Sequence, residues 1–163
     1  AETGHLVMGT LHTSSAAKTV DRIIDVFPAG EKEMVRAMIA GSLQAVISQV
    51  LLKRKGGGRA AAHEIMVGTS AVRNLIRENK IPQIYSMIQV GQRYGMQTMD
   101  DAMRKLVESG VVDVSEVSSM MSKLSDDGGA PGAQQGGAQK PAAAAPSAPQ
   151  APAQPAAKSR SIF

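Results

Sequence analysis

Composition changes abruptly near Ser125. From residue 128 onward the stretch GGAPGAQQGGAQKPAAAAPSAPQAPAQPAAKSRSIF is dense in Ala, Pro, Gly and Gln and shows no apolar periodicity. Such a stretch buries too little apolar surface to offset the entropy lost on ordering. We therefore expect residues 126–163 to form a disordered tail. About three quarters of the chain is then left to fold, which is enough for one compact domain.

Charge and composition limit the classes of partner. The chain has 18 Lys and Arg against 14 Asp and Glu, a net charge of +4, and its basic residues are scattered. Only 2% of the residues are aromatic, so a stacking surface for nucleic acid is lacking, and no nucleic-acid partner is expected. The absence of cysteine excludes disulfides and thiolate metal sites and favours a cytoplasmic location.

The ends of the chain add two expectations. No apolar run approaches the ~18 residues that a membrane-spanning helix needs, so no membrane span is predicted. The chain starts with AETGHLV, without Met, and passes almost at once into a predicted strand. We therefore expect it to be part of a longer protein.

The first 28 residues predict a strand, a loop and a helix. HLVMGTL is apolar on both faces, as expected for a central strand of a parallel sheet. Ser14 or Ser15 can cap the following helix, which Pro28 ends. The stripe predicted to be buried consists of Ala16, Val20, Ile23, Ile24 and Phe27.

The next hundred residues predict a helix, a hairpin and further helices. A helix should begin near Glu31, and LQAVISQVLLKRKGGGRAAAHEIMVG predicts two strands joined by a turn at Gly56–Gly58. From Thr69 onward the periodicity is helical, with a capping box formed by Thr98 and Asp101 and a last helix over residues 115–124. The buried stripe of the helix near Glu31 is predicted to be Met34, Val35, Met38 and Ile39.

Three histidines are candidate ligands for a metal or a phosphate. His5 and His12 are seven residues apart, so in a strand they would face opposite sides, and a shared metal is not expected. His63 and Glu64 lack the second histidine of a zinc helix and are interpreted as structural. His12 lies where a strand is predicted to end, the edge at which ligands bind in open α/β sheets. Its imidazole could donate a hydrogen bond to a phosphate; the alternative is a structural histidine.

Two stretches resemble phosphate or surface motifs only in part. AAKT has Ala17 and His12 where a phosphate-binding loop requires glycine, and KGGGR lacks a following Lys-Ser or Lys-Thr, so the chain contains no P-loop. In AVRNLIREN, Arg73 and Arg77 lie one turn apart on a helix, away from its apolar residues. The alternative for this stretch is an ordinary amphipathic helix with a solvated basic side.

Taken together, these stretches resemble a known family. TGHLVMGTLHTSSAAKTVDRIIDVFP is similar to the His box of the secretion ATPase superfamily, and AVRNLIREN is similar to the AIRNLIRE motif of its PilT-type pilus retraction branch. The resemblance covers about residues 1–110. It implies an α/β fold in which residues 1–68 are the C-terminal part of a RecA-like P-loop ATPase domain, a central sheet with a β-hairpin. A helical C-terminal subdomain over residues 69–125 follows, and then the tail.

The resemblance also implies roles for individual positions. In the His box, His12 would sense or position the γ-phosphate, His5 and Thr10 would act with it, and Gly4 and Thr13 would lie near the nucleotide. No metal ligand is implied in this chain. One departure is Val72, where the family usually has Ile. The retraction motif corresponds to Arg73, Asn74, Leu75, Ile76, Arg77 and Glu78.

The implied function is that of a homo-hexameric ATPase that uses ATP and Mg²⁺ to retract type IV pili and so drive twitching motility. It would work in the cytoplasm against an inner-membrane pilus platform protein. The P-loop, magnesium-binding acids and catalytic glutamate of the family precede the His box and are absent here. Because phosphoryl transfer depends on them, this chain alone is expected to be inactive.

Two alternatives stay open. Pilus-assembly and type II secretion ATPases share the His box, but they commonly carry a cysteine-rich zinc knuckle, and this chain has no cysteine. A non-enzymatic interaction module built from the helices after Thr69 is the second alternative.

Overall fold

The computed structural model describes residues 1–126. The predicted tail lies outside the described residues, except for Asp126. Residues 1–126 contain helices and strands in the order α1 (Ala16–Asp25), α2 (Lys32–Ser42), β1 (Ala45–Lys53), β2 (Arg59–Val67), α3 (Ser70–Arg77), α4 (Ile84–Val90), α5 (Met99–Glu108) and α6 (Val114–Asp126).

The hairpin is confirmed. β1 and β2 pair antiparallel, from Ala45 opposite Val67 to Lys53 opposite Arg59. The turn residues Gly56–Gly58 all have positive φ, between 79° and 104°, a backbone region that favours glycine. Side chains alternate along each strand, so one face of the hairpin is buried. The buried positions are Ser48, Val50, Leu52, Ala62, Glu64 and Met66.

The predicted strand HLVMGTL is wrong in this structure. Residues 5–11 have no regular secondary structure, and Leu6 and Met8 are 80% and 85% exposed. A central parallel strand depends on hydrogen bonds from a neighbour on each side. Within residues 1–126 the sheet consists of β1 and β2, and no strand pairs with residues 5–11. His12 therefore follows an irregular segment and not a strand end.

The helix ends are predicted better than the buried faces. Ser15 caps α1, because its Oγ accepts a hydrogen bond from the Lys18 backbone N–H at 3.3 Å. In α2 the buried residues are Val35 and Ala40, and the predicted burial of Met34 and Met38 is wrong, since both are exposed. Two apolar stripes lie side by side on α2, and only one of them faces its neighbours.

Two groups of buried side chains form the interior. The first joins α1, α2, α3 and α4 to the open end of the hairpin near Met66, and the second joins α5 and α6 to the turn half of the hairpin around Leu52. The cap at Thr98 and the last helix are confirmed, but the Asp101 carboxylate accepts from the Thr98 hydroxyl and not from its backbone N–H, as a capping box would require. The division at residue 68 stays a prediction. On α1, Ala16, Val20 and Ile24 are buried, Ile23 is half-buried and Phe27 is exposed.

Candidate functional site

The predicted His-box residues lie on an exposed segment that leads into α1. Gly4, His5, Thr10 and His12 are exposed, and Thr13 is half-buried. His5 is bound locally, its Nδ1 lying 2.9 Å from the Thr3 hydroxyl. The structure therefore places the imidazole of His12 in solvent, where it can meet a ligand.

The loop between His12 and α1, residues 12–15, is fixed from its C-terminal side. The Thr19 hydroxyl donates to the Ser15 carbonyl at 2.9 Å. Because the hydroxyl proton of Thr19 is used in that bond, the Thr13 hydroxyl is the donor in the 2.6 Å contact between Thr13 Oγ1 and Thr19 Oγ1. We call residues 12–15 the His12 loop. Its geometry is set by the first turn of α1.

Glu64 is a buried acid that the sequence analysis considered only beside His63, as half of a zinc pair, and interpreted as structural. Its side chain lies on the buried face of β2 with 3% exposure, and Oε1 accepts a hydrogen bond from the backbone N–H of Ala16 at 2.7 Å. The backbone N–H of Met99 also lowers the pKa of this carboxylate. The available signal was alternation: in AAAHEIMV the core-facing positions carry Ala62, Glu64 and Met66, and a charged side chain among them demands a partner.

The neighbours of Glu64 change its titration. Burial raises the pKa of Glu64, the two backbone N–H groups lower it, and the negative charge of Asp100 raises it again. Asp100 in turn accepts a hydrogen bond from the Tyr85 hydroxyl at 2.8 Å, and burial with this bond raises the pKa of Tyr85. His63, by contrast, contacts Gln49 at 3.1 Å across the hairpin, in keeping with a structural role.

The motif AVRNLIREN forms helix α3, and its two arginines differ. Arg73 is half-buried and binds the end of α2: its guanidinium donates to the carbonyls of Ala40, at 3.0 Å, and Gly41, and to the Gly68 carbonyl at 2.6 Å. The last carbonyls of a helix lack partners within it, so Arg73 supplies them. The alternative of a solvated basic side is therefore wrong for Arg73.

The exposed side of α3 carries the other polar residues of the motif. Asn74 donates to Glu78 at 2.8 Å, and Glu78 forms an ion pair with Lys80 at 2.8 Å. The Lys80 ammonium and the Asn74 amide lower the pKa of Glu78. Arg77 is exposed, and within residues 1–126 no hydrogen bond or ion pair involves its guanidinium. Its donors are therefore available to another molecule.

Comparison with known proteins decides the family. The family described as type II/IV secretion system protein matches residues 1–56, which include the His box. The chain is 65% identical over 112 residues to the type IV pilus retraction ATPase PilT of Pseudomonas aeruginosa, covering 69% of this chain and 33% of that protein. This chain belongs to the PilT-type branch of the secretion ATPase family. It is also 67% identical over 113 residues to a twitching motility protein of Neisseria gonorrhoeae, covering 69% of this chain and 30% of that protein.

A solved PilT-type structure agrees with the fold. The crystal structure of the pilus retraction motor PilT with bound ADP superposes with a TM-score of 0.64 at 46% identity, covering 71% of this chain and 32% of that chain. The predicted class, part of a RecA-like ATPase domain with a β-hairpin followed by helices, is thereby confirmed. The chain spans about a third of the length of these PilT-type relatives.

Few groups within residues 1–126 are placed to bind the phosphates of a nucleotide. The N-terminus of α1 is not open to a phosphate, because Glu64 and Ser15 already accept from Ala16 and Lys18. A phosphate could instead meet the exposed imidazole of His12. Within residues 1–126 no group of three or more His, Cys, Asp or Glu side chains could hold a metal ion.

The length and hydrophobicity of the helices show whether any of them could span a membrane. Within the part of the chain that the structure describes, none of them combines the length and the hydrophobicity that crossing a bilayer requires.

Replacing Arg73 by alanine is expected to destabilise the chain by about 2 kcal/mol, because it removes hydrogen bonds that join α2 to α3 and leaves carbonyl groups without a donor. Urea unfolding followed by circular dichroism measures the change. Arg77→Ala is the matched control, with an expected change within about 0.5 kcal/mol. Equal effects of the two substitutions would contradict the role assigned to Arg73.

The titration of Glu64 predicts a pH dependence. Because its pKa is raised on folding, the stability that this group contributes is complete below its ordinary value of 4.5 and is lost as the pH rises through the folded value. The Glu64→Gln variant lacks this titration. Relative to that variant, the wild-type free energy of unfolding is therefore expected to fall as the pH rises above 4.5. Urea unfolding of both proteins over a series of pH values tests it; a constant or rising difference would contradict it.

Proposed function

We propose that this chain works as part of a hexameric ATPase motor that retracts type IV pili and thereby powers twitching motility. The observation that carries the proposal is the 65% identity over 112 residues to a type IV pilus retraction ATPase. The match to a twitching motility protein from a second organism supports it. The absence of cysteine from the sequence favours this branch over assembly ATPases that carry a zinc knuckle.

In this proposal His12, Thr10 and His5 serve the nucleotide, and Gly4 and Thr13 lie near it. The support is that His12 is exposed and belongs to the His12 loop, whose geometry is set by α1. ATP supplies the phosphoryl group, and the His12 imidazole donates a hydrogen bond to its terminal phosphate. Residues 1–126 contain no phosphate-binding loop, so in this proposal other parts of the motor hold ATP and its Mg²⁺.

We propose that the buried and the exposed residues of the retraction motif have different roles. Val72 and Ile76 are buried and, with half-buried Leu75, hold α3 in place, while Arg73 joins it to α2. This leaves an exposed surface formed by Asn74, Arg77 and Glu78, which we call the α3 surface. We propose that the α3 surface transmits force within the motor and toward the inner-membrane pilus platform protein, with the motor in the cytoplasm at the membrane's inner face.

Deleting the gene and restoring it on a plasmid tests the function. The retraction proposal predicts a strain that keeps surface pili but does not spread by twitching, because pili that cannot be withdrawn remain on the cell. Electron microscopy and colony spreading measure the two properties. A strain without pili would favour an assembly ATPase, and a strain with normal pili and normal spreading would overturn the proposal. A complete gene product that does not hydrolyse ATP would favour the non-enzymatic module.

A further inference from the structure

We propose that Glu64 is a positioning residue, which holds the His12 loop in place by binding the first backbone N–H of α1. This inference rests on the proposed function of His12. Glu64 touches neither nucleotide nor His12. It acts through Ala16, the residue that directly follows the His12 loop.

The first step is that Glu64 bridges distant parts of the chain. Ala16 and Glu64 are 48 residues apart, and their 2.7 Å hydrogen bond is buried. A side chain on β2 therefore binds the N-terminal residue of α1, and its negative charge is favourably placed against the positive end of that helix dipole.

The second step is that the start of α1 depends on Glu64 more than the start of α5 does. The segment before α5 is tied to β2 by other bonds: Ile65 and Gln97 exchange backbone hydrogen bonds at 2.9 and 3.2 Å, and the Gln97 amide donates to the His63 carbonyl at 2.8 Å. For the backbone N–H of Ala16, the structure shows the Glu64 carboxylate as acceptor. Loss of Glu64 should therefore disturb the start of α1 more than the start of α5.

The third step is that burying a carboxylate at this position costs free energy. Burial and the nearby Asp100 charge oppose its ionised form. Across the hairpin, the position opposite Glu64 is Ser48, which is also buried and whose hydroxyl has no partner within residues 1–126. The chain thus keeps an acid at this site although a smaller residue fits on the facing strand, which is explained if the Ala16 N–H must be held by an acceptor that reaches it.

The test uses the complete motor protein with Glu64→Gln, Glu64→Ala and His12→Ala. Glutamine keeps one acceptor oxygen, so it retains more function than alanine. Hydrogen exchange followed by mass spectrometry is expected to speed up in peptides over residues 13–20 more than over 97–102. The kcat for ATP hydrolysis is expected to fall about tenfold in Glu64→Ala, with KM within about twofold, because misplacing a catalytic group slows the chemical step.

A double variant separates positioning from general loss of structure. If Glu64 acts through the His12 loop, adding Glu64→Gln to His12→Ala should lower kcat no further than His12→Ala alone. Ser48→Ala is the matched control, because it is a buried substitution on the facing strand position that removes no hydrogen bond, and it should change neither exchange nor kcat.

The outcomes separate this inference from the proposed function. Unchanged exchange over residues 13–20 in both Glu64 variants, or additive losses of kcat in the double variant, would overturn the positioning role while His12→Ala still lowers kcat. A His12→Ala motor with normal kcat would instead overturn the proposed role of His12. Should Glu64→Ala fail to fold, Glu64→Gln and the double variant decide the question.

Discussion

Arg77→Ala is expected to abolish twitching motility while leaving ATP hydrolysis within about twofold of wild type. The side chain is exposed, and no residue within the described part of the chain pairs with it, so its loss should change the free energy of unfolding by less than about 0.5 kcal/mol. The α3 surface, however, loses a guanidinium with five N–H donors in a fixed fork. Colony spreading and steady-state ATPase activity of the same variant measure the two effects.

The matched control for Arg77 is Arg22→Ala. Arg22 is also an exposed arginine in the last turn of a helix, α1, but lies outside the retraction motif. Its replacement should leave spreading unchanged. Normal spreading in the Arg77 variant, or equal loss in the Arg22 variant, would remove the special role of the α3 surface. Arg77→Lys tests the chemistry further, because lysine keeps the charge but not the planar fork.

His12→Ala is expected to lower the kcat of the complete motor by about tenfold to a hundredfold, since it removes a hydrogen-bond donor directed at the phosphate on which negative charge develops. The imidazole is exposed, so the fold should be unaffected and the unfolding curve unchanged. Steady-state hydrolysis at saturating ATP, together with urea unfolding, checks both parts of the prediction.

His63→Ala serves as the control for His12. His63 lies on β2 and contacts Gln49, so its loss should leave ATP turnover near the wild-type value. His12→Gln keeps an N–H donor and is expected to retain more activity than His12→Ala. An unchanged kcat in His12→Ala would end the case for a phosphate-sensing role. Equal losses in the His12 and His63 variants would point to a general effect of removing a histidine.

Much of the local structure was predictable because its causes lie within a few residues of one another. The hairpin follows from two strand patterns around three glycines that accept positive φ. The caps at Ser15 and Thr98 each involve a backbone N–H three residues further along the chain. The His box and the AVRNLIREN motif were recognisable for the same reason, as short runs of specific residues. The roles of their individual positions stay predictions.

Contacts between distant segments were not predictable in this way. The strand HLVMGTL needed neighbours that residues 1–126 do not provide, and periodicity on α2 could not choose between two adjacent apolar stripes. Arg73 binds a carbonyl 33 residues away, and Glu64 binds an N–H 48 residues away. The pattern of hydrophobic and charged residues indicates which side chains must be packed or paired with others. Only packing in three dimensions decides which partner each one meets, because that depends on where remote segments are brought together.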